Sequence, residues 1–252
     1  MNENTRILKS IGCKNIVESA EKLTLKGPGI FYPTATTAYL LRASLKLTAN
    51  AEKILDLGCG SGVIGLELAA NQQLKRKVYM SDLSREACVA SVLNAEILEL
   101  NNVSVRNGSM FEPWSDEKFD VVVSDVSGVS VSAPVSKIWF DGIPQDSGEN
   151  GLKLTSLVLL NAQKYLRTEK SFVLLPLISL ADQIKFWDLL KTENWHAEVV
   201  SEHVWKLPIK NKEEKSEMLK QKKEGNVQFD LEEGNYVCFT KILKIEPLIW
   251  KG

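Results

Sequence analysis

The sequence predicts an α/β fold: a seven-stranded, mostly parallel sheet with helices on both faces and an antiparallel pair at one edge. Three observations carry that reading. Apolar, β-branched runs alternate with helical segments along the middle of the chain. The first such run ends in four glycines within eight positions and opens directly into a helix. The last two strand-like runs, 196–207 and 235–245, are separated only by a charged stretch.

The elements follow in order. Residues 1–30 read as a helical extension that ends in the loop Gly27-Pro28-Gly29. A turn at Pro33 leads into a helix from about Thr36 to Leu47. Strands are expected at 53–58, 77–83, 103–105, 118–126 and 171–177. Helices are expected at 63–70, 84–100, 151–166 and 179–192. In the helix over 84–100, Cys88, Val92, Ala95 and Leu98 form one apolar stripe. Val89, Leu93, Ile97 and Leu100 widen it, which predicts a largely covered helix. The stretch 127–148 is rich in Ser, Gly and Pro and reads as irregular. A charged insertion at about 209–226 reads as a helix or a mobile lid. Its lysines, among them Lys212 and Lys220, interleave with Glu213, Glu214 and Glu217, which argues for a solvated face over a phosphate-binding patch.

Bulk composition excludes several classes. The 252 residues are 44% hydrophobic and 25% charged, as in ordinary globular proteins. A net charge of −1 gives no global basic field and argues against nucleic acid as a partner. Two histidines and the scattered Cys13, Cys59, Cys88 and Cys238, with no C-x-x-C pair, argue against a metal site. The N-terminal residues lack a signal-peptide core, and no apolar run reaches the roughly 18 residues a membrane span needs. The expectation is a cytoplasmic protein with reduced thiols and no membrane contact. No pattern specifies an oligomeric state.

The glycines are costly to order and so need a reason. In ILDLGCGSGVIGL (54–66), Gly58, Gly60, Gly62 and Gly65 follow a buried strand and precede a helix. A strand–glycine turn–helix lets a ligand approach the backbone closely, beyond the carboxyl end of the first strand. Residues 60–65 satisfy the dinucleotide pattern G-x-G-x-x-G. Asp56, two residues ahead of the turn, would repel a pyrophosphate and attract a cation. A sulfonium- and ammonium-bearing ligand is therefore favoured over a nicotinamide dinucleotide.

Asp56-x-Gly58-x-Gly60-x-Gly62 resembles the first motif of the class I S-adenosylmethionine-dependent methyltransferases, whose fold is Rossmann-like. The resemblance makes 31–252 the methyltransferase domain and S-adenosylmethionine the cofactor. It implies that Asp56, Gly58, Cys59, Gly60 and Gly62 cradle the donor. It implies that Asp82, beside Leu83, accepts hydrogen bonds from the ribose hydroxyls; the alternative is a helix cap. Ser109 and Met110 fall where the family contacts adenine. Cys59 reads as a small filler, since nothing in the sequence places a base beside it.

IFYPTATTAYLL (30–41) and SGENGLKLTSLVLLNA (147–162) resemble a subgroup, the small-domain methyltransferases that act on release-factor glutamine or on RNA guanine and adenine. That likeness puts Tyr32, Pro33 and Thr37 on the acceptor side. The subgroup carries Asn-Pro-Pro-Tyr after its fourth strand, where this chain has Asp125-Val126-Ser127-Gly128. The platform for a planar amide or base is missing, which favours a different acceptor. Asp125 then stands between donor and acceptor as a base or binding group, or is a turn acid. Ser127 and Trp139 are candidate acceptor contacts, Trp139 and Phe140 serving as pocket walls or as packing. His203 reads as structural, with catalysis the alternative. The expected function is methyl transfer to an oxygen, nitrogen or carbon of a small molecule or peptide. Methylation of a protein side chain or RNA base is one alternative, and a non-catalytic binding module is another.

Overall fold

A computed structural model describes residues 1–71, 75–126, 128–140, 143, 146–209 and 211–249. The sheet is built from β1 (Lys53–Leu57), β2 (Lys77–Asp82), β3 (Val103–Asn107), β4 (Val121–Ser124), β5 (Phe172–Ile178), β6 (Trp195–Lys206), β7 (Asp230–Glu232) and β8 (Asn235–Pro247). Its order is β3-β2-β1-β4-β5-β8-β6, and β7 pairs with β8 off that path. The seven expected strands all form; the three-residue β7 is an addition. The pairs β3–β2, β2–β1, β1–β4 and β4–β5 are parallel. β8 runs antiparallel between β5 and β6. Chain order therefore reverses between β1 and β4, and this switch point opens a crevice at the strand carboxyl ends.

The helices are α1 (Glu3–Ile11), α2 (Ala35–Leu47), α3 (Val63–Ala69), α4 (Arg85–Ile97), α5 (Pro134–Trp139), α6 (Lys153–Ala162), α7 (Gln183–Thr192) and α8 (Lys212–Lys223). Strand alternation splits the core. Ile54, Val78, Val121, Val123 and Leu174 pack with α1, α2 and α3 on one face. Leu55, Leu57, Tyr79, Val122 and Val173 pack with α6 and α7 on the other. Asp56 lies on the face of Ile54, two residues along β1, and so points toward α3. Apolar residues of the N-terminal extension, among them Leu8, Ile16 and Leu25, join the first of these clusters. A third, smaller cluster holds Val129, Ala133, Met218 and Phe229 beneath α5 and α8. Among the described residues, no helix is long and apolar enough to cross a membrane.

Two expectations need correction. The stretch after β4 is not wholly irregular: Pro134 starts the short α5, a position where its missing N–H costs nothing. The helix α4 is not covered all round. Val89, Val92, Leu93 and Ile97 are exposed, and the buried face is made of Ala87, Cys88, Ala90, Ser91, Asn94 and Ala95. These small and polar residues seat the helix close to the glycine turn. Ser91 Oγ donates to the Gly60 carbonyl, and Asn94 Nδ2 donates to the carbonyls of Thr24 and Ser61. The charged insertion is helical over α8, with only Met218 and Gln221 buried.

Candidate active site

The glycine turn follows β1 directly. Gly58 and Cys59 donate backbone N–H groups to the Ser81 carbonyl, tying the turn to the end of β2. Gly58 sits at φ 78°, and a Cβ there would lie 2.8 Å from Val126 Cγ1. Glycine is required because the loop after β4 packs straight onto the turn. Gly65 lets the chain pass Met80, whose Sδ would be 2.3 Å from a Cβ, and brings its N–H to Asp56. Gly60 lies next to the carbonyl of Phe31, so the segment before α2 crosses the turn.

Two carboxylates grip this turn. Asp56 Oδ2 accepts the Gly65 N–H at 2.8 Å. Asp82 Oδ2 accepts the Gly60 N–H at 2.9 Å, and its Oδ1 accepts the Ser84 N–H at 2.8 Å. Ser84, not Asp82, caps α4, its hydroxyl accepting from Ala87 N–H. Asp56 is 1% exposed and its Oδ1 has no partner among the described residues. Burial pushes its pKa up to about 7, against the opposing Gly65 bond and with Asp125 and Asp82 adding like charge. Burial also raises Asp82.

Asp125 sits one residue beyond β4. Thr37, on α2, fixes its orientation. The Thr37 Oγ1 accepts the Thr34 N–H at 3.0 Å, so its one proton goes to Asp125 Oδ2 at 2.8 Å. Burial raises Asp125 to about 7, and the Thr37 bond opposes that rise.

The first cavity, about 180 Å³, is lined by Asp56, Gly58, Cys59, Gly60, Ser81, Asp82, Leu83, Ser109, Met110, Asp125, Pro33 and Thr37, with Phe31, Phe140, Leu154 and Leu157. Nearly all the candidate donor residues thus converge. Gly62 does not line it: a Cβ there would meet Ser91 Oγ at 2.9 Å, so Gly62 serves the turn and its seat on α4. Cys59 is buried against Ser91, and burial raises its thiol well above the ordinary value, which makes it a filler. A second cavity, about 420 Å³, adjoins the first through Phe31, Asp125, Val126 and Phe140. Tyr32 and Trp139 line it, with Ile178, His203 and Trp205. Ser127 lies outside the described residues. Sequence reasoning passed over Leu154, Leu157 and Trp205. Trp205 stands two residues from His203 on β6, on the same face of the strand, and that spacing was the available signal.

Three carboxyl groups and no Lys or Arg line the first cavity among the described residues. An unpartnered buried carboxylate oxygen and a cation-free wall fit an ammonium- and sulfonium-bearing nucleoside and oppose a pyrophosphate. A glycine turn and acidic crevice at the switch point of such a sheet define a class I S-adenosylmethionine-dependent methyltransferase. Residues 49–232 match the model of a methyltransferase domain family, and the chain belongs to that family. Its domain is a methyltransferase domain of the group that uses S-adenosylmethionine.

The chain is similar to the release factor glutamine methyltransferase of Aliivibrio fischeri, 39% identical over 100 residues, or 39% of this chain and 35% of that protein. It is similar to the ribosomal protein L11 methyltransferase of Lactobacillus gasseri, 31% identical over 111 residues, or 43% of this chain and 34% of that protein. The matched region is about a third of each relative's length. In structure it is similar to a precorrin-6y C5,15-methyltransferase from Geobacter metallireducens, with TM-score 0.54, 11% identity, and coverage of 90% and 95% of the two chains. A ribosomal protein L11 methylase from Lactobacillus delbrueckii gives TM-score 0.53, 14% identity, and coverage of 86% and 81%. At those identities the likeness is one of fold.

Proposed function

We propose that this enzyme transfers a methyl group from S-adenosylmethionine to an oxygen, nitrogen or carbon of a small molecule or peptide in the cytoplasm. The observation that supports it is the pair of adjoining cavities that share Asp125: one acidic and built on the glycine turn, one walled by aromatic rings. When bound, S-adenosylmethionine supplies an electrophilic methyl group on sulfur. The chain's part is to hold and align. Asp56 Oδ1 receives a cationic group, Asp82 the ribose hydroxyls, and Leu83, Ser109 and Met110 surround the base. Leu83 is 59% exposed, at the mouth, where a ring would cover it. Asp125 faces the acceptor, with its second oxygen held by Thr37. Orientation of this kind supplies much of a transfer rate. Methylation of a protein glutamine, as the names of the relatives suggest, is the second reading. It is disfavoured by Asp125-Val126 in place of Asn-Pro-Pro-Tyr, since both prolines and the aromatic that make the platform for a planar amide are gone.

The test is release of S-adenosylhomocysteine by the purified enzyme offered small hydroxylated molecules, amines, glutamine peptides and bulk tRNA. Turnover with small molecules that is lost in Asp125→Asn supports the proposal. Turnover confined to glutamine peptides or to tRNA, or none with any class, overturns it.

With an active acceptor in hand, the pH profile follows from Asp125. A carboxyl held near 7 must lose its proton to act as base, so kcat/KM rises about tenfold per pH unit below 7 and levels off above it. Asp56 from β1, Thr37 from α2 and His203 from β6 surround the same cavities, and the observed midpoint belongs to the coupled carboxyl pair. Thr37→Val removes the bond that favours the ionised form and shifts the midpoint upward. A profile that is flat from pH 5.5 to 8.5 removes Asp125 as base.

Asp82 has a separate test. Wild-type protein should bind the 2′-deoxy analogue of S-adenosylhomocysteine about tenfold more weakly than the parent, for one charge-assisted hydrogen bond lost. Asp82→Ala should bind both weakly and equally. If Asp82→Ala still discriminates between them, the ribose contact lies elsewhere.

A further inference from the structure

The second cavity has a chemical character of its own. Its walls are the rings of Phe31, Tyr32, Trp139, Phe140 and Trp205. Phe31 and Phe140 stack with centroids 5.3 Å apart, and Trp139 leans on Trp205 at 5.3 Å. Neither lysine nor arginine lines it among the described residues, so nothing there would balance a phosphate or carboxylate on the acceptor. The titratable groups that line it, apart from the Tyr32 phenol, are Asp125 at the junction with the donor cavity and His203 on β6. His203 is 9% exposed, and its ring lies flat on Tyr39 with centroids 4.1 Å apart. Its Nδ1 is buried with no hydrogen-bond partner among the described residues. Burial holds its pKa below the ordinary value, so the ring is neutral and offers one donor and one acceptor nitrogen. A neutral imidazole on the wall gives the cavity a polar point among its apolar rings, away from Asp125. Trp205, two residues along, has satisfied its indole N–H on Thr240 Oγ1 at 3.0 Å, so its contribution to the cavity is its face.

Resting on the methyl-transfer reading above, we propose that this cavity takes a neutral, planar, hydroxyl-bearing aromatic compound, with the reacting hydroxyl at Asp125 and a second polar group at His203. A volume of about 420 Å³ lies in the range of small-ligand pockets. Flat ring walls pack against a flat acceptor with little loss of freedom. A peptide segment fits worse: each buried amide needs partners, and the lining offers few polar side chains. In the transfer step the hydroxyl proton passes to Asp125. The acceptor oxygen bonds to the methyl carbon as the carbon–sulfur bond breaks and its electron pair stays on sulfur. His203 touches the acceptor without taking part in the proton transfer, and selects for the second polar group.

The experiment uses 7-hydroxycoumarin as the probe, titrated by its own fluorescence into full-length protein saturated with S-adenosylhomocysteine, so that no turnover intervenes. Binding should be saturable, and unsubstituted coumarin should bind about tenfold more weakly. His203→Phe keeps an aromatic ring against Tyr39, slightly larger, and removes the nitrogens. It should lower affinity for 7-hydroxycoumarin about tenfold and leave S-adenosylhomocysteine affinity unchanged. Trp205→Leu should weaken both coumarins together. If S-adenosylhomocysteine binds but neither coumarin does, or if His203→Phe binds the probe as wild type does, the acceptor assignment is wrong while the donor site stands. Failure of S-adenosylhomocysteine itself to bind would instead bring down the methyl-transfer reading and this inference with it.

Discussion

Asp56→Asn should lose donor affinity by ten- to a hundredfold while raising the melting temperature of the ligand-free protein at pH 8. Both effects have one origin. The carboxyl is buried, with one oxygen on the Gly65 N–H and the other without a partner among the described residues. Asparagine keeps an acceptor for Gly65 and abolishes the charge. A cationic ligand then loses a buried ionic hydrogen bond, worth roughly 1.5–3 kcal/mol. The stability effect follows from proton linkage. The folded pKa, about 7, lies above the ordinary carboxylate value of 3.8, so the folded state favours the protonated form. That contribution is fully present below the unfolded value and is lost as pH rises through about 7. Wild-type stability should therefore fall relative to the variant between pH 4 and 8, with the two melting curves drawing together at the acid end. Calorimetry for affinity and thermal melts across pH check both parts. A variant that melts lower than wild type at pH 8 would mean the charge is compensated inside the fold, and Asp56 would not be waiting for a cation.

Glu67→Ala should cost about 3 kcal/mol of stability and loosen the first thirty residues. Glu67 lies on α3 with no exposed surface. Its carboxylate accepts backbone N–H groups of Lys14, Asn15 and Ile16 and the Asn15 side-chain amide, at 2.8 to 3.2 Å. No apolar residue replaces such a clasp, because the N–H groups would be left without acceptors. The clasp has a functional end. It anchors the chain that runs through Thr24, bonded to Asn94, to Phe31, whose carbonyl lies beside Gly60. The variant should melt about 6–12 °C lower. It should be cut early by trypsin within residues 1–30 and bind the donor more weakly. A melting temperature within a degree or two of wild type would make the extension an ornament of the fold.

The difference between what was legible in the sequence and what was not lies in how far apart the interacting residues are. The strand–glycine–helix unit announces itself because its signature is local, with Asp56 two residues ahead of Gly58, although what requires Gly58 is Val126 from the loop after β4. The parallel sheet followed from the alternation of β and α, and the antiparallel edge from the two final strands. The buried face of α4 was misread for a simple reason. Ser91 and Asn94 are polar, and a search for an apolar stripe discards them, although they hold the glycine turn and the N-terminal extension. Glu67 was invisible for the same reason, since its partners are backbone groups more than fifty residues away. The second cavity was half legible. Tyr32 and Trp139 were found through neighbouring motifs, but His203 and Trp205 arrive from β6, and only β6–β8 pairing across the sheet brings them to Asp125.

The most direct single measurement is a calorimetric titration of the purified protein with S-adenosylmethionine, S-adenosylhomocysteine and NADH at pH 8. An acidic crevice, with no Lys or Arg lining it among the described residues, should bind the two sulfur compounds at micromolar concentration and reject NADH, whose pyrophosphate it would repel. Binding of NADH, or of none of the three, would contradict the reading of Asp56, Asp82 and the glycine turn as a methyl-donor site.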